Sequence, residues 1–272
     1  MSRWLIALDI DGTLVHDDGF LSPKVYQQVQ RVKELGHEVV IATGRSASNS
    51  YPIARELDFP GRYAVASNGA VRYRYDSKKY DVEDIESFDP APVLNRLIEV
   101  IPDAHFAVED LDGTYRFHKP FPTYALGEEN FETPLEQLLH HPVSRVVVLS
   151  PTHDVEEFLG LMKKIGLHSV SYSIGYTAWL DIAPDGVDKG HGLERLRSIL
   201  DIDPTRVITI GDGRNDIEMF NWANKSGGHS FAMGQAPPEV KSVASAVTAS
   251  VEQDGVAEVL SGFEGLEFIR AK

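Results

Sequence analysis

The chain is predicted to fold as an α/β protein around a parallel sheet, and three observations carry that prediction. Trp4-Leu5-Ile6-Ala7-Leu8 is an unbroken apolar run that stops at Asp9-Ile10-Asp11-Gly12-Thr13. A helical stripe and a second apolar run, Glu38-Val39-Val40-Ile41-Ala42, come next. Far downstream, Arg206-Val207-Ile208-Thr209-Ile210 leads into Gly211-Asp212-Gly213-Arg214-Asn215-Asp216. Apolar runs without alternation mark strands buried on both faces, as the strands of parallel sheets are.

Each element has its own justification. Five apolar residues make 4–8 a buried strand. Ser22-Pro23 is a helix start, with Ser at the cap and Pro in the first turn. Val25, Val29, Val32 and Leu35 keep one helical face, and Gly36 ends it. Strand 38–42 completes a strand–helix–strand unit, hence a right-handed parallel crossover. The middle of the chain breaks this rhythm. Leu94, Leu97, Ile98 and Ile101 form a helical stripe, and Val155, Phe158, Leu159, Met162 and Ile165 form another that Gly166 can stop. Phe106–Val108, Arg145–Leu149 and Val170–Tyr172 have the look of strands. An α+β unit inserted into the parallel core fits this pattern. A helix then begins at Lys189 and carries Leu193, Leu196 and Leu200. Asp201-Ile202-Asp203-Pro204 separates it from the strand at 206–210.

Composition narrows the function classes. Of 272 residues, 42% are hydrophobic, enough for a sizeable core. There is no cysteine, which excludes disulfides and thiolate chemistry and suits a reducing, cytoplasmic setting. Met1-Ser2-Arg3 runs straight into the first strand, so no signal peptide is expected. No apolar stretch approaches the roughly 20 residues of a membrane helix. Lys and Arg number 26 and Asp and Glu 41, a net charge of −15. That charge argues against nucleic acid and anionic membranes as partners.

The carboxylates carry the chemistry. Asp9 and Asp11 lie two apart, so extended backbone places both on one face, where they need a cation or a proton to coexist. An EF-hand loop also begins Asp-x-Asp, but its Gly and Glu positions are Leu14 and Phe20 here. Gly211-x-Gly213 suggests a dinucleotide loop, but Asp216 replaces the third Gly, and carboxylates repel a pyrophosphate. Asp212, Asn215 and Asp216 suit a hard cation with oxygen ligands, above all magnesium. Thr43-Gly44-Arg45 at a strand end can hold a phosphoryl oxygen through a hydroxyl and an N–H, with Arg45 reaching an anion. Lys189 opposes its helix dipole, a broken local rule that hints at function. Arg116, His118 and Lys119 in the middle segment are read as a solvated loop rather than an anion site.

These four segments in this order resemble the haloacid dehalogenase-like hydrolases, above all the Cof-type branch, subclass IIB, with its large cap. Asn68-Gly69-Ala70, Leu180–Val187, Ala232-Met233-Gly234 and Asp254-Gly255-Val256 match that branch as well. Gln235 stands where the branch usually carries Asn, and Trp222–Phe231 is longer and more polar than usual. The resemblance implies a Rossmann-like parallel core, residues 1–83 and 184–272, with an inserted α+β cap at 84–183. It implies a Mg2+-dependent phosphatase acting on a small phosphorylated metabolite, a sugar phosphate, as a monomer or weak homo-oligomer. In that reading Asp9 is the nucleophile and Asp11 the acid and base, its carbonyl also meeting the metal. Thr43, Gly44, Arg45 and Lys189 hold the phosphoryl group. Asp212 ligates the metal directly and Asp216 through water, while Asn215 orients Lys189 or the phosphate. A phosphomutase and a non-catalytic phosphate- or metal-binding regulator on the same fold remain alternatives.

Overall fold

A computed structural model of the chain describes residues 3–57, 62–122, 125–127, 130–165, 170–174, 178–264 and 267–268. Its first sheet uses β1 (Leu5–Leu8), β2 (Glu38–Ala42), β3 (Arg62–Ala66), β4 (Val71–Tyr75) and β5 (Tyr80–Ile85). The second sheet follows, made of β6 (His105–Glu109), β7 (Tyr115–Phe117), β8 (Asn130–Glu132), β9 (Arg145–Leu149), β10 (Val170–Ile174) and β11 (Trp179–Pro184). The chain then returns to the first sheet with β12 (Val207–Gly211), β13 (His229–Ala232) and β14 (Ala246–Val247). Gly166, the expected helix stop, lies outside the described residues.

The first sheet has the order β14-β13-β12-β1-β2-β3-β4-β5. Strands β14 through β3 are parallel, and β4 and β5 extend one edge as antiparallel hairpins. From β1 the chain steps outward to β2 and β3 on one side, whereas β12 to β14 fill the other. The strand order therefore reverses between β1 and β12, and the carboxyl ends at such a point open a crevice.

Alternation along β1 shows why its sequence is apolar throughout. Ile6 and Leu8 pack with Val25, Val29 and Val32 of α1 (Pro23–Glu34) and with Leu260 further along the chain. Leu5 and Ala7 face the opposite layer with Leu193, Leu196, Met219 and Phe220. The sheet is covered on both faces, so neither face of β1 can be polar. Ser22 caps α1 by accepting from the Lys24 N–H, as its position before Pro23 predicts.

The second sheet has the order β10-β11-β9-β6-β7-β8. Helices α2 (Ala47–Glu56) and α3 (Ala91–Val100) come before it in the chain, and α4 (Val155–Ile165) lies between β9 and β10. Phe106, Val108, Val146, Val148, Leu180 and Ile182 face Leu94 and Leu97 of α3 and Phe158 and Met162 of α4. The intervening residues Ala107, Glu109, Arg145, Val147 and Asp181 must then point to the other face. The reading of 116–119 as a solvated loop is corrected here. Arg116 lies in β7, is buried, and pairs bidentately with Asp110 at 2.6 Å. His118 stacks on Phe106, and Lys119 Nζ donates to the Asp103 carbonyl at 3.2 Å.

Candidate active site

The site forms at the carboxyl ends of β1, β2 and β12 and at the start of α5 (Lys189–Ile199). Asp9 still belongs to the sheet through its N–H, which donates to the Ile210 carbonyl of β12 at 3.0 Å. This fixes its side chain beside Asp212, the first residue after β12. Asp9, Asp212 and Asp216 are buried, and one carboxylate oxygen from each lies within 4.8 Å of the others.

Asp11 departs from the sequence expectation. The chain turns at Ile10, whose carbonyl accepts from the N–H groups of Thr13, Leu14 and Val15. That turn ends the extended backbone, so Asp9 and Asp11 do not share a face. The Asp11 side chain is 60% exposed and lies outside the group of three carboxylates. Arg45 grips it through Nε at 2.9 Å and Nη2 at 2.5 Å. This pairing is the main reason the guanidinium pKa rises further.

Gly12 closes the turn with φ +71°, a conformation that favours glycine, and a Cβ there would meet Asp212 Oδ2 at 2.5 Å. Thr13 Oγ1 donates to Asp212 Oδ1 at 3.4 Å. Gln235, the residue that departs from the family pattern, reaches the Gly12 carbonyl with its amide. Its oxygen accepts from the Val251 N–H at 3.1 Å. The substitution thus still serves the loop that bears Asp11.

Lys189 is fully buried at the first position of α5, whose N-cap is Asp188. Its ammonium donates to Asp9 Oδ1 at 2.7 Å and to Asp216 Oδ1 at 2.6 Å. Burial opposes the charge, but Asp216 and Asp9 overcome it and hold the pKa above the ordinary lysine range. These two pairs account for a cation at the wrong end of a helix dipole. Burial raises the pKa of Asp9 well above the usual carboxylate range. Lys189 counters this, while Asp216, Asp212 and Asp11 reinforce it. Three carboxylates and one ammonium leave an excess of negative charge in a buried place, which a divalent cation is suited to neutralise. The second oxygen of Asp216 accepts from the N–H groups of Asp212 and Gly213, both at 2.9 Å. Its lone pairs are therefore largely committed, whereas the donor set as a whole is all oxygen.

Thr43 lies at the end of β2, fully buried, and its hydroxyl accepts from the Arg45 N–H at 3.1 Å. Its own proton is left to donate elsewhere. Gly44 lies under Asn68 and Asn215. A Cβ on Gly44 would stand 3.1 Å from the Asn68 oxygen and 3.2 Å from the Asn215 nitrogen. Asn215 Nδ2 donates to Asn68 Oδ1 at 3.0 Å.

Several residues of this region are given no role by the sequence, although Asn68, Gly69 and Asp181 lie in segments that match the Cof-type branch. Ser67 and Asn68 are both left-handed, at φ 50° and 51°, and Gly69 continues the turn at φ 101°. Their N–H groups hold the phosphate-type loop. Ser67 donates to the Arg45 carbonyl at 2.8 Å and Asn68 to the Thr43 carbonyl at 3.1 Å. A Cβ on Gly69 would lie 1.9 Å from the Asp188 carbonyl, so the approach of α5 depends on glycine there. Backbone strain gathered at one turn is characteristic of functional sites. Glu109, Arg145 and Asp181 also reach this region from the second sheet. The signal for them was available, since each charge borders or interrupts an apolar strand, as Asp9 does.

Comparison with known proteins agrees with this geometry. A model of the haloacid dehalogenase-like hydrolase family matches residues 6–260. The 5-amino-6-(5-phospho-D-ribitylamino)uracil phosphatase YitU of Bacillus subtilis is 31% identical, over 97% of this chain and 98% of that protein. The pyridoxal phosphate phosphatase YbhA of Escherichia coli is 27% identical, over 96% of this chain and 98% of its own. Among solved structures, a subclass IIB sugar phosphatase superposes with a TM-score of 0.79 at 21% identity. The match covers 97% of this chain and all of that one, and it shows a shared fold. With the family matched from β1 to the last helix, and a phosphatase 31% identical along nearly its whole length, this chain belongs to the haloacid dehalogenase-like hydrolases, Cof-type branch, as one of their phosphatases.

Proposed function

We propose that the chain is a magnesium-dependent phosphatase that hydrolyses a small phosphomonoester, a sugar phosphate, through an aspartyl-phosphate on Asp9. The observation that carries this reading is the buried carboxylate group of Asp9, Asp212 and Asp216 with Lys189 between two of its members. A magnesium ion held by Asp9, Asp212 and the Asp11 carbonyl, with Asp216 reached through water, would supply charge neutralisation for the phosphoryl oxygens.

The residues divide the work as follows. An oxygen of Asp9 attacks phosphorus, and the bond to the leaving oxygen breaks. Asp11 gives its proton to that oxygen, then takes one from water as the water attacks the aspartyl-phosphate. Inorganic phosphate leaves and the Asp9 carboxylate is regenerated. Thr43, Gly44 and Lys189 hold the phosphoryl oxygens, and Asn215 orients that subsite. Arg45 pairs with Asp11 in the structure. An arriving phosphoryl group competes for the guanidinium and frees Asp11 for proton transfer. Residues 84–183 act as a cap that excludes bulk water and selects the substrate. The substrates after which the two relatives are named, a phosphoribitylamino uracil and pyridoxal phosphate, are small phosphomonoesters, and the first carries a polyol.

Assaying phosphate release against a panel of sugar and cofactor phosphomonoesters with magnesium tests the reading. Steady release of inorganic phosphate from a sugar phosphate is expected. Transfer of the phosphoryl group between two positions of the sugar, with no net release, indicates a phosphomutase instead.

A further inference from the structure

The face of the second sheet opposite α3 and α4 ends in a compact charged cluster, and that cluster reaches the phosphate-type loop. Glu109 and Arg145 are direct neighbours across β6 and β9, both buried. Arg145 Nε donates to Glu109 Oε2 at 3.0 Å, and its Nη1 also lies 3.4 Å from Asp181 Oδ1. Tyr115 OH donates to Glu109 at 3.1 Å. Three of these groups reach the loops that follow β2 and β3. Ser67 Oγ donates to Glu109, 2.8 Å from Oε1 and 2.9 Å from Oε2, and Arg145 Nη1 donates to the Gly44 carbonyl. Asp181 also accepts from Asn68, which is itself bonded to Asn215.

The Gly44 carbonyl and the Arg45 N–H belong to one peptide unit. That N–H is the group that donates to Thr43 Oγ1. A guanidinium on one end of the peptide therefore sets the plane of the other and, through it, the direction in which the Thr43 proton points. We propose that Arg145, with Glu109, is a positioning residue that couples docking of the inserted unit to the geometry of the Thr43–Gly44 phosphate subsite. The chemistry of the contact suits one that makes and breaks. A buried ion pair is a poor source of stability compared with apolar packing. On separation, however, Glu109, Arg145 and Asp181 hydrate readily, whereas an apolar contact would leave hydrophobic surface in water. The phosphate subsite would then be complete only while the inserted unit is docked.

The inference rests on the phosphatase reading for its kinetic test alone. Full-length parent, Arg145→Ala, Arg145→Lys and Ser67→Ala are compared by thermal unfolding, amide hydrogen exchange, and kcat and KM for an aryl phosphate with magnesium. In Arg145→Ala, exchange at residues 43–46 and 67–70 is expected to rise at least about tenfold while β1 and β12 stay protected. The value of kcat/KM is expected to fall at least about tenfold, with orthovanadate inhibition weakened in parallel. Lysine keeps the charge near Glu109 but cannot also serve the Gly44 carbonyl. Arg145→Lys should therefore unfold near the parent temperature and still show the exchange and kinetic losses, which settles the matter if the alanine variant is globally destabilised. Parent-like exchange at 43–46 and kcat/KM within about twofold in Arg145→Lys would overturn the proposal. If the parent itself releases no phosphate, the phosphatase reading fails and the exchange result alone decides the coupling.

Discussion

Lys189 and Asp9 stand 180 residues apart in the chain and meet in a buried ion pair of 2.7 Å, with Asp216 on the other side of the ammonium at 2.6 Å. The pair joins the end of β1 to the start of α5, so it ties together the parts of the core that precede and follow the second sheet in the chain. It also decides how many like charges the crevice can hold without a metal.

Replacing Lys189 by Met removes the only cation that bonds to Asp9 and Asp216 among the described contacts. The remaining carboxylates repel one another, and loss of one partner of a buried pair costs about 3–5 kcal/mol. Unfolding in EDTA should therefore occur at markedly lower denaturant in Lys189→Met. Phosphatase activity should fall by about a thousandfold or more, because the charge on the phosphoryl group loses its neutralising partner. Equal stability of the two proteins in EDTA would contradict the assignment.

Magnesium is expected to stabilise the protein by an amount that grows with the logarithm of its concentration above the dissociation constant. At 100 times its dissociation constant the gain is about 2.7 kcal/mol, or a rise in Tm of about 5–10 °C for a chain of this size. Asp212→Asn should abolish that rise. Activity should vanish in EDTA and return with magnesium. Calcium should replace it poorly, because its larger and looser shell lets carboxylates bind bidentately and blunts the attack.

Gly12→Ala probes the turn under Asp11. The left-handed backbone costs a side chain about 1–2 kcal/mol. The new Cβ would also lie 2.5 Å from Asp212 Oδ2, so the carboxylate has to move. Magnesium affinity, read by calorimetry, is expected to drop about 10–100-fold, the usual penalty when support of a ligand is lost. An unchanged affinity would show that Gly12 serves only the backbone.

The parts of the site that follow from sequence are those fixed by a buried strand. Apolar runs at β1, β2 and β12 place Asp9, Thr43 and Asp212, because strands covered on both faces admit no other pattern and their ends must lie at the crevice. Ser22 and Pro23 mark a helix start through chemistry confined to three residues. The orientation of Asp11 was not legible, since it depends on three N–H groups converging on the Ile10 carbonyl. For Glu109, Arg145 and Asp181 the charges at their strands could be read, but their contact with the loops after β2 and β3 could not. Period-two alternation assigns them to one face but cannot say that a second body of the protein covers that face. Arg116 misled for the same reason, because its partner Asp110 is close in sequence but meets it only once the β6–β7 hairpin has formed.

Trapping the phosphoryl group on Asp9 tests the proposed mechanism at its core. Asp11→Asn keeps the attacking carboxylate and removes the acid and base. Mixed with magnesium and an activated aryl phosphate, whose leaving group needs no proton, it should release about one equivalent of phenolate in a burst and then slow. Acid quenching, digestion and mass spectrometry should find one added phosphoryl group on a peptide spanning residues 4 to 23, and the Asp9→Asn variant should show neither burst nor label. A label on a serine, threonine or histidine, or near-parental turnover by Asp9→Asn, would contradict the aspartyl-phosphate mechanism.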